Sequence, residues 1–209
     1  MNKICLALAT LAVIACKNDV QKEPRPIDYA VFSGTITNGE DEVLKIRGGN
    51  GFEHEIEIDE AGKFADTIQL ENGYYTFSIG RERSSLYLSQ GDNLQLTMNT
   101  EEFDESIKYT GDGSVENNYL AQKAMMYETM NGKTEELYAL APEAFDQKTS
   151  QTKEAVTKAL ESLKEVDPNF VEGQKEDINY SYLNGLMNYP GWHEYFAKPE
   201  TFTELPENF

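Results

Sequence analysis

Residues 52–59, FEHEIEID, decide the fold class of the first half of the chain. Phe52, His54, Ile56 and Ile58 fall on one side of an extended backbone, and acidic residues occupy every position between and after them. A period of two residues is typical of a β-strand with one buried face and one solvated face. Antiparallel sheets permit one wet face, so we predict that this strand belongs to an antiparallel sheet.

The same period recurs from residue 29 to residue 111. Apolar alternation marks further strands in VFSGTIT, EVLKIR, FADTIQL, YYTFSI, SLYL, LQLTMN and IKYTG. Turn signals separate them, including Asn38-Gly39, Asn72-Gly73 and a glycine cluster at 48–51. Seven or eight short strands at this spacing predict an antiparallel β-sandwich or barrel over residues 29–111.

After residue 111 the period becomes helical. Ser114 is the predicted N-cap of a first helix, Pro142 and Pro168 bracket a second, and a third is predicted over 169–188. The segment NYPGW, residues 188–192, is predicted to turn the chain. The predicted fold class is therefore α+β, with a β-domain over 29–111 and a helical region of about three helices over 112–209.

The N-terminus carries both cysteines of the chain. Residues 1–16, MNKICLALATLAVIAC, combine Lys3, a short apolar run and small residues, as secretory signals do. Val13 to Cys16 resembles the bacterial lipobox, which implies cleavage after residue 15 and a lipid on the Cys16 thiol. A plain secretory signal with an incidental cysteine is the alternative. We expect residues 1–15 to be a signal peptide and 16–28, with two prolines, to be a solvated tether.

This anchor predicts the location of the protein, and the charge restricts its partners. The expected place is a bacterial cell envelope, where the lipid holds the folded body to a membrane at the periplasmic face or the cell surface. The formal net charge is −19, and it becomes −20 when the signal peptide takes Lys3 away. Such a surface repels phosphate backbones, so we expect no nucleic-acid partner. A mature chain without a free thiol offers no cysteine ligand, and we predict neither a metal nor another cofactor.

Few residues stand out as candidates for chemistry. We predict no catalytic residue, because the sequence has no GxSxG elbow and no Cys-x-x-Cys pair. His54 is interpreted as a hydrogen-bonded core residue, and GDGSVENN, residues 111–118, as a strand-to-helix cap rather than a calcium loop. Ligand contacts are predicted for four ring-bearing residues, namely Tyr74, Tyr75, Trp192 and His193. Asp66-Thr67-Ile68 resembles the O-glycosylation sequon of Bacteroidota, which makes Thr67 a candidate glycosylation site.

The order of these parts resembles the N-terminal region of TlpA-like thiol-disulfide oxidoreductase lipoproteins of Bacteroidota. The matching stretches are FSGTI at 32–36, LYLSQGDNL at 86–94, and GDGS followed by NNYL at 111–120. The resemblance implies a β-domain and helices that accompany a thioredoxin-fold domain. Gln90 replaces the proline usual in that family, and no thioredoxin domain follows.

Two functions are therefore expected from sequence. The first is a non-catalytic, lipid-anchored accessory module for a thioredoxin-fold domain or protein, either as a fragment of a longer chain or as a relative without the redox domain. The alternative is a stand-alone surface lipoprotein that binds glycans or protein partners through loop aromatics.

Overall fold

The computed structural model describes residues 27–39, 43–198 and 202–203. The predicted signal peptide, the predicted lipidation site Cys16 and all but the last two residues of the predicted tether lie outside these ranges. In the described part of the chain, no helix has both the length and the apolar character needed to span a bilayer.

The predicted α+β fold is confirmed: in the described residues eight strands, with one short α-helix between β7 and β8, precede the longer helices. The strands form two four-stranded sheets, ordered β4-β1-β7-β8 and β3-β2-β5-β6. Their bounds are β1 Tyr29–Thr37, β2 Val43–Gly48, β3 Glu53–Glu57, β4 Lys63–Gln69, β5 Gly73–Ile79, β6 Glu82–Leu88, β7 Asn93–Asn99 and β8 Lys108–Gly111.

Strand β3 lies within the alternating stretch FEHEIEID, and it pairs with β2 in an antiparallel hairpin. Five of the six strand pairs are antiparallel, but β1 and β7 are parallel, with Val31 opposite Asn93. Hairpin signals between neighbouring strands predict antiparallel pairs only. The parallel pair joins segments about sixty residues apart, beyond the reach of local patterns.

The two sheets pack face to face over an apolar core. Phe32, Leu44, Ile46, Phe77 and Leu86 are fully buried in it. At one side of the sandwich, the imidazole of His54 on β3 meets the carboxylate of Asp66 on β4 at 2.9 Å. This hydrogen-bonded histidine is therefore half-buried at the edge and links the two sheets, whereas the sequence placed it in the core.

Helix α2 (Ser114–Asn131) closes the opposite side. The side-chain amide of Asn117 accepts from the backbone N–H of Tyr87 at 2.8 Å and donates to its carbonyl at 2.7 Å. Asn118 makes the same pair of bonds to Tyr109 at 2.9 Å each. Tyr87 lies on edge strand β6 and Tyr109 on edge strand β8, so the two amides take the place of a neighbouring strand for both sheets.

The remaining helices are α1 (Phe103–Ser106), α3 (Thr134–Tyr138), α4 (Pro142–Glu161) and α5 (Pro168–Phe196). The three predicted helices correspond to α2, α4 and α5, with different ends. Gly113, at a φ of 78°, is the N-cap of α2, and Ser114 is its first helical residue. Helix α4 stops at Glu161, and Asp167 caps α5 by accepting from Asn169 N–H at 2.8 Å.

The predicted turn at NYPGW is wrong, because α5 runs through it with Pro190 inside the helix. A proline in a helix interior costs about 3 kcal/mol. Tyr189 and His193 on either side of it are buried. Tyr189 donates to the Leu140 carbonyl between α3 and α4 at 2.6 Å, and His193 donates to the Tyr138 carbonyl at the end of α3 at 2.8 Å. Burial of the Tyr189 ring, at about 1.5–3 kcal/mol for a large apolar side chain, and the two hydrogen bonds, at about 1 kcal/mol each, offset the cost of the proline.

Candidate functional site

A cluster of four aromatic rings connects the sandwich to the helices. Phe170 of α5 is fully buried, and its ring lies 5.9 Å from Tyr74, 5.0 Å from Tyr87 and 5.9 Å from Tyr119. Tyr74 also donates its hydroxyl to the Phe170 carbonyl at 2.8 Å. The close approach of α5 to the Tyr74 ring depends on Gly173, because a Cβ at this position would lie 2.9 Å from that ring.

Beside this cluster, a groove of about 440 Å³ separates the outer face of sheet β3-β2-β5-β6 from α2 and α5. Its sheet side presents the ring of Tyr74, which is 39% exposed, and the hydroxyls of Thr76 and Ser85, which lie directly opposite each other on β5 and β6. Its helix side presents Lys123 and Gln174. A half-exposed ring beside hydroxyl, amide and charged groups can stack on and hydrogen-bond a polar ligand.

The charges in the groove are already paired. The Lys123 ammonium donates to the Gln174 amide oxygen and to the Asp177 carboxylate, both at 2.6 Å. Arg47 pairs with Glu53 at 3.1 Å. The groove is therefore close to neutral although the chain carries −19, which favours an uncharged ligand over an ionic one.

A larger opening of about 880 Å³ lies at the end of the sandwich. Its described lining combines aliphatic side chains and turn glycines with the polar residues Thr37 and Asn38 and the acids Glu57, Asp59 and Glu60, and it includes no aromatic ring. Asp59 is held by the N–H groups of Ala61 and Lys63 in the turn. The smaller groove has the richer set of ligand-binding groups.

The predicted ligand contacts Tyr74 and Tyr75 occupy a strand rather than a loop. They are neighbours on β5, so their side chains point to opposite faces of the sheet. Tyr74 borders the groove, and burial raises the pKa of its hydroxyl. Tyr75 points into the sandwich, where it is 9% exposed, packs on Phe52 and donates to the Glu71 carbonyl at 2.6 Å. Although it is largely buried, Tyr75 also contributes to the lining of the groove.

The other predicted contacts lie at the far end of α5. Trp192 is 45% exposed and stacks on Phe196 with ring centroids 5.4 Å apart. His193 is buried and has both ring nitrogens engaged: Nδ1 donates to the Tyr138 carbonyl at 2.8 Å, and Nε2 accepts from Thr203 N–H at 3.3 Å. These bonds require the neutral imidazole. The geometry therefore gives His193 a structural role, and Trp192 remains the accessible member of the pair.

Three carboxylates gather where the sheets meet α2. Asp92 accepts from Ser89 N–H at 2.8 Å, Glu116 accepts from Asp167 N–H at 3.1 Å, and Asp167 accepts from the Tyr87 hydroxyl at 2.8 Å. Burial, with nearby carboxylates, raises the pKa of Asp92. Each of these carboxylates therefore has a hydrogen-bond partner in the junction, but none of these bonds caps α2, whose N-cap Gly113 makes no side-chain capping bond. Among the described residues, no three His, Cys, Asp or Glu side chains are placed to hold a metal ion.

The geometry also bears on catalysis and on the sequon. Within the described ranges, no nucleophile, base and orienting group come together as a catalytic constellation.

Thr67 lies exposed on edge strand β4, where an enzyme could reach it, and its glycosylation stays a prediction.

Comparison with protein-family models, with curated proteins and with solved structures gives no match. The resemblance to the TlpA-like N-terminal region therefore stays a prediction from motifs. The groove was missed at the sequence level because its parts come from β2, β5, β6, α2 and α5. The alternation at Tyr74 and Thr76 gave the one signal, since it puts both side chains on the solvated face of the same strand.

Proposed function

We propose that the protein is a non-catalytic, lipid-anchored module of a bacterial cell envelope. The observation that carries the proposal is the junction between its two halves. Asn117 and Asn118 bind both sheet edges, and Phe170 packs against rings from β5, β6 and α2. A body connected in this way holds its surfaces in a constant relative position, which suits positioning or binding a partner. The lipobox and the tether supply the anchor.

In this proposal the body holds or presents a thioredoxin-fold domain or protein, as the TlpA-like resemblance implies. It supplies no redox chemistry itself, because thiol-disulfide exchange needs a thiolate pair and residues 17–209 contain no cysteine.

Two measurements on the full chain test this proposal. Metabolic labelling with palmitate is expected to tag the wild-type protein and to leave Cys16→Ala unlabelled. Insulin reduction with dithiothreitol is expected to stay at the background rate. An unmodified Cys16 thiol in mass spectrometry contradicts the anchor, and reduction above background contradicts the non-catalytic role.

A second function, glycan binding, is favoured by the groove. Sugars stack on aromatic faces and accept or donate hydrogen bonds through hydroxyls, and the groove combines the Tyr74 ring with Thr76, Ser85 and the paired Lys123. Its near-neutral charge suits an uncharged oligosaccharide.

Thr76→Trp tests the groove directly, because Thr76 is exposed on β5 and a large ring there fills the space beside Tyr74. Thr97→Trp is the matched control: Thr97 is an exposed threonine on β7 of the other sheet. On an array of neutral oligosaccharides, we expect binding by wild type and Thr97→Trp and loss of binding in Thr76→Trp. Equal binding by all three, or none by wild type, contradicts the glycan function.

A further inference from the structure

The second half of helix α5 contains a run without charged residues. From Ile178 to His193, INYSYLNGLMNYPGWH includes no Asp, Glu, Lys or Arg, in a chain whose charged fraction is 26%. Much of this run faces solvent. The sequence therefore places a neutral helical surface on a strongly acidic protein.

Large side chains are exposed along one side of this run. Tyr180 is 73% exposed, Leu183 45%, Met187 80% and Tyr195 76%. Successive spacings of three and four residues bring them, with Gly191, to one side of the helix. We call Tyr180, Leu183, Met187, Gly191 and Tyr195 the exposed α5 face; Trp192 lies at its rim.

The fold does not use this face. Helix α5 packs against α3 and α4 through its other side, where Ile178, Tyr189 and His193 are buried. Within the described ranges nothing covers the exposed α5 face, as the exposed fractions show. Apolar surface of this kind on a helix is typical of a binding surface.

The charge pattern favours a second copy of the chain over the other occupants. Glu172, Glu176 and Glu194 lie on the solvent side of α5, and such acids oppose contact with an anionic lipid surface. A basic partner would be attracted to the acidic surfaces of the chain rather than to its neutral run. Two copies at −19 each repel one another, and they approach at least cost through the uncharged run from Ile178 to His193, with Glu176 and Glu194 just outside that run.

The face is also complementary to itself. In an antiparallel pair of α5 helices with Met187 on the two-fold axis, a residue a given number of positions before Met187 meets the residue the same number of positions after Met187 on the other chain. Leu183 then faces Gly191, where the space that a Cβ would enter is open. Tyr180 faces Glu194, whose carboxylate can accept from the phenol. A large side chain opposite a glycine and a phenol opposite an acid make a specific match.

The area is adequate for such a pair. The four exposed side chains and Trp192 together present roughly 600 Å², from their exposed fractions and about 200 Å² for a full aromatic side chain. A standard interface buries about 800 Å² per partner. The face alone therefore reaches the lower end of stable interfaces, which bury about 1,200–2,000 Å² in total, or about 600 Å² per partner at that end.

We propose that the exposed α5 face is a homodimer interface in which α5 packs antiparallel against α5 of a second copy, with Met187 on the two-fold axis. The interface is independent of the groove and of the anchor. It would place two sandwiches on one pair of helices.

Cysteine cross-linking in intact cells that express the full chain tests this arrangement. Met187→Cys brings two thiols together at the axis, so mild oxidation is expected to convert most of the chain to a disulfide-linked dimer. Leu183→Cys is expected to stay largely monomeric, because its two copies are offset by about 12 Å along the helices, at 1.5 Å per residue. Coexpression of Leu183→Cys with Gly191→Cys is expected to give the mixed dimer.

Three controls make the result decisive. Lys175→Cys is exposed but off the face and is expected not to cross-link. Wild type measures any disulfide formed through Cys16. Leu183→Glu in the Met187→Cys background puts like charges into the interface and should abolish the dimer, whereas Lys175→Glu should not.

Some outcomes would overturn the proposal. One is an absence of dimer from Met187→Cys. A second is cross-linking of Met187→Cys to a different protein, and a third is equal cross-linking at positions 175, 183 and 187. If Met187→Cys is instead protected from oxidation by lipid, the face binds a membrane and the homodimer is wrong.

Discussion

The sandwich and the helical region bury different kinds of side chain. Among the described residues, five polar or charged side chains are buried, and all five lie in helices: Glu116, Asn117, Thr152, Gln174 and His193. The strands bury apolar and aromatic side chains, with Tyr109 contributing a buried hydroxyl. The sandwich is therefore held by apolar area, and the helices are positioned by particular hydrogen bonds.

This difference determines how each half should respond to substitution. Loss of apolar volume in a continuous core costs stability by leaving a cavity. Loss of one polar partner in the helical region leaves another buried group unpaired, at about 1–3 kcal/mol for each group. Four substitutions test the contrast.

Phe170→Ala is expected to have the largest effect, because Phe170 joins both halves. A buried Phe→Ala change costs about 3–5 kcal/mol. We expect a similar loss from Phe145→Ala, whose fully buried ring packs on Tyr138 and Tyr189 in the distal helices. Only Phe170→Ala should let the helical region and the sandwich unfold in separate transitions. Fluorescence of Trp192, the sole tryptophan, would then report unfolding before the strand signals in NMR. A single shared transition would show that the ring cluster is not the connection.

Asn117→Ala should come next, because it leaves the buried N–H and C=O of Tyr87 without partners. We expect a loss of about 3 kcal/mol in the free energy of unfolding, measured by urea denaturation. Asn118→Ala is the matched control: its bonds to Tyr109 are only partly buried, so about half that loss is expected. Equal losses of stability would mean that burial of the Tyr87 backbone groups does not determine the free energy lost when a strand edge has no partner.

Tyr109→Phe should act in the opposite direction. The Tyr109 hydroxyl is buried and has no partner among the described residues, and burial raises its pKa. Removing an unpaired polar group should stabilise the chain by about 1 kcal/mol. Tyr119→Phe removes a hydroxyl that donates to the Val156 carbonyl at 3.3 Å and should destabilise it slightly. A destabilised Tyr109→Phe would contradict the view that this part of the sandwich depends on apolar packing alone.

His54→Ala should have the smallest effect and should depend on pH. The hydrogen bond from His54 lowers the pKa of Asp66 below its ordinary 3.8. The pair therefore stabilises the fold above that value and ceases to do so as pH falls through the lowered pKa. Both groups are partly exposed, so we expect at most a few tenths of a kcal/mol at neutral pH. NMR titration should show Asp66 protonating at higher pH in the variant, with the two stability curves meeting in acid. If Asp66 titrates at the same pH in the variant as in the wild type, the hydrogen bond from His54 is not the cause of its lowered pKa.

The sequence predicted the strands of the sandwich better than the contacts of the helices, because the two halves bury different kinds of side chain. Alternation in FEHEIEID and LQLTMN reports a buried and a wet face directly, so the strands could be located. Helix α2 has little amphipathic asymmetry because it buries Glu116 and Asn117 along with Tyr119 and Leu120. A pattern that counts apolar residues misses such a helix face. The motif NNYL at 117–120 resembles a sheet-to-helix junction. It does not indicate that Asn117 and Asn118 bind the edge strands β6 and β8.

By itself, the sequence determined the α+β class, the β-rich first half and helical second half, and the neutrality of the run in α5, because these depend on the local preference of each residue for water or for apolar surroundings. Only the tertiary structure decided the parallel pairing of β1 with β7, the passage of α5 through Pro190 and the assembly of the groove. In each of these, contacts between segments distant in sequence outweigh a local signal, since one buried ring or one buried hydrogen bond is worth as much as the preference it opposes.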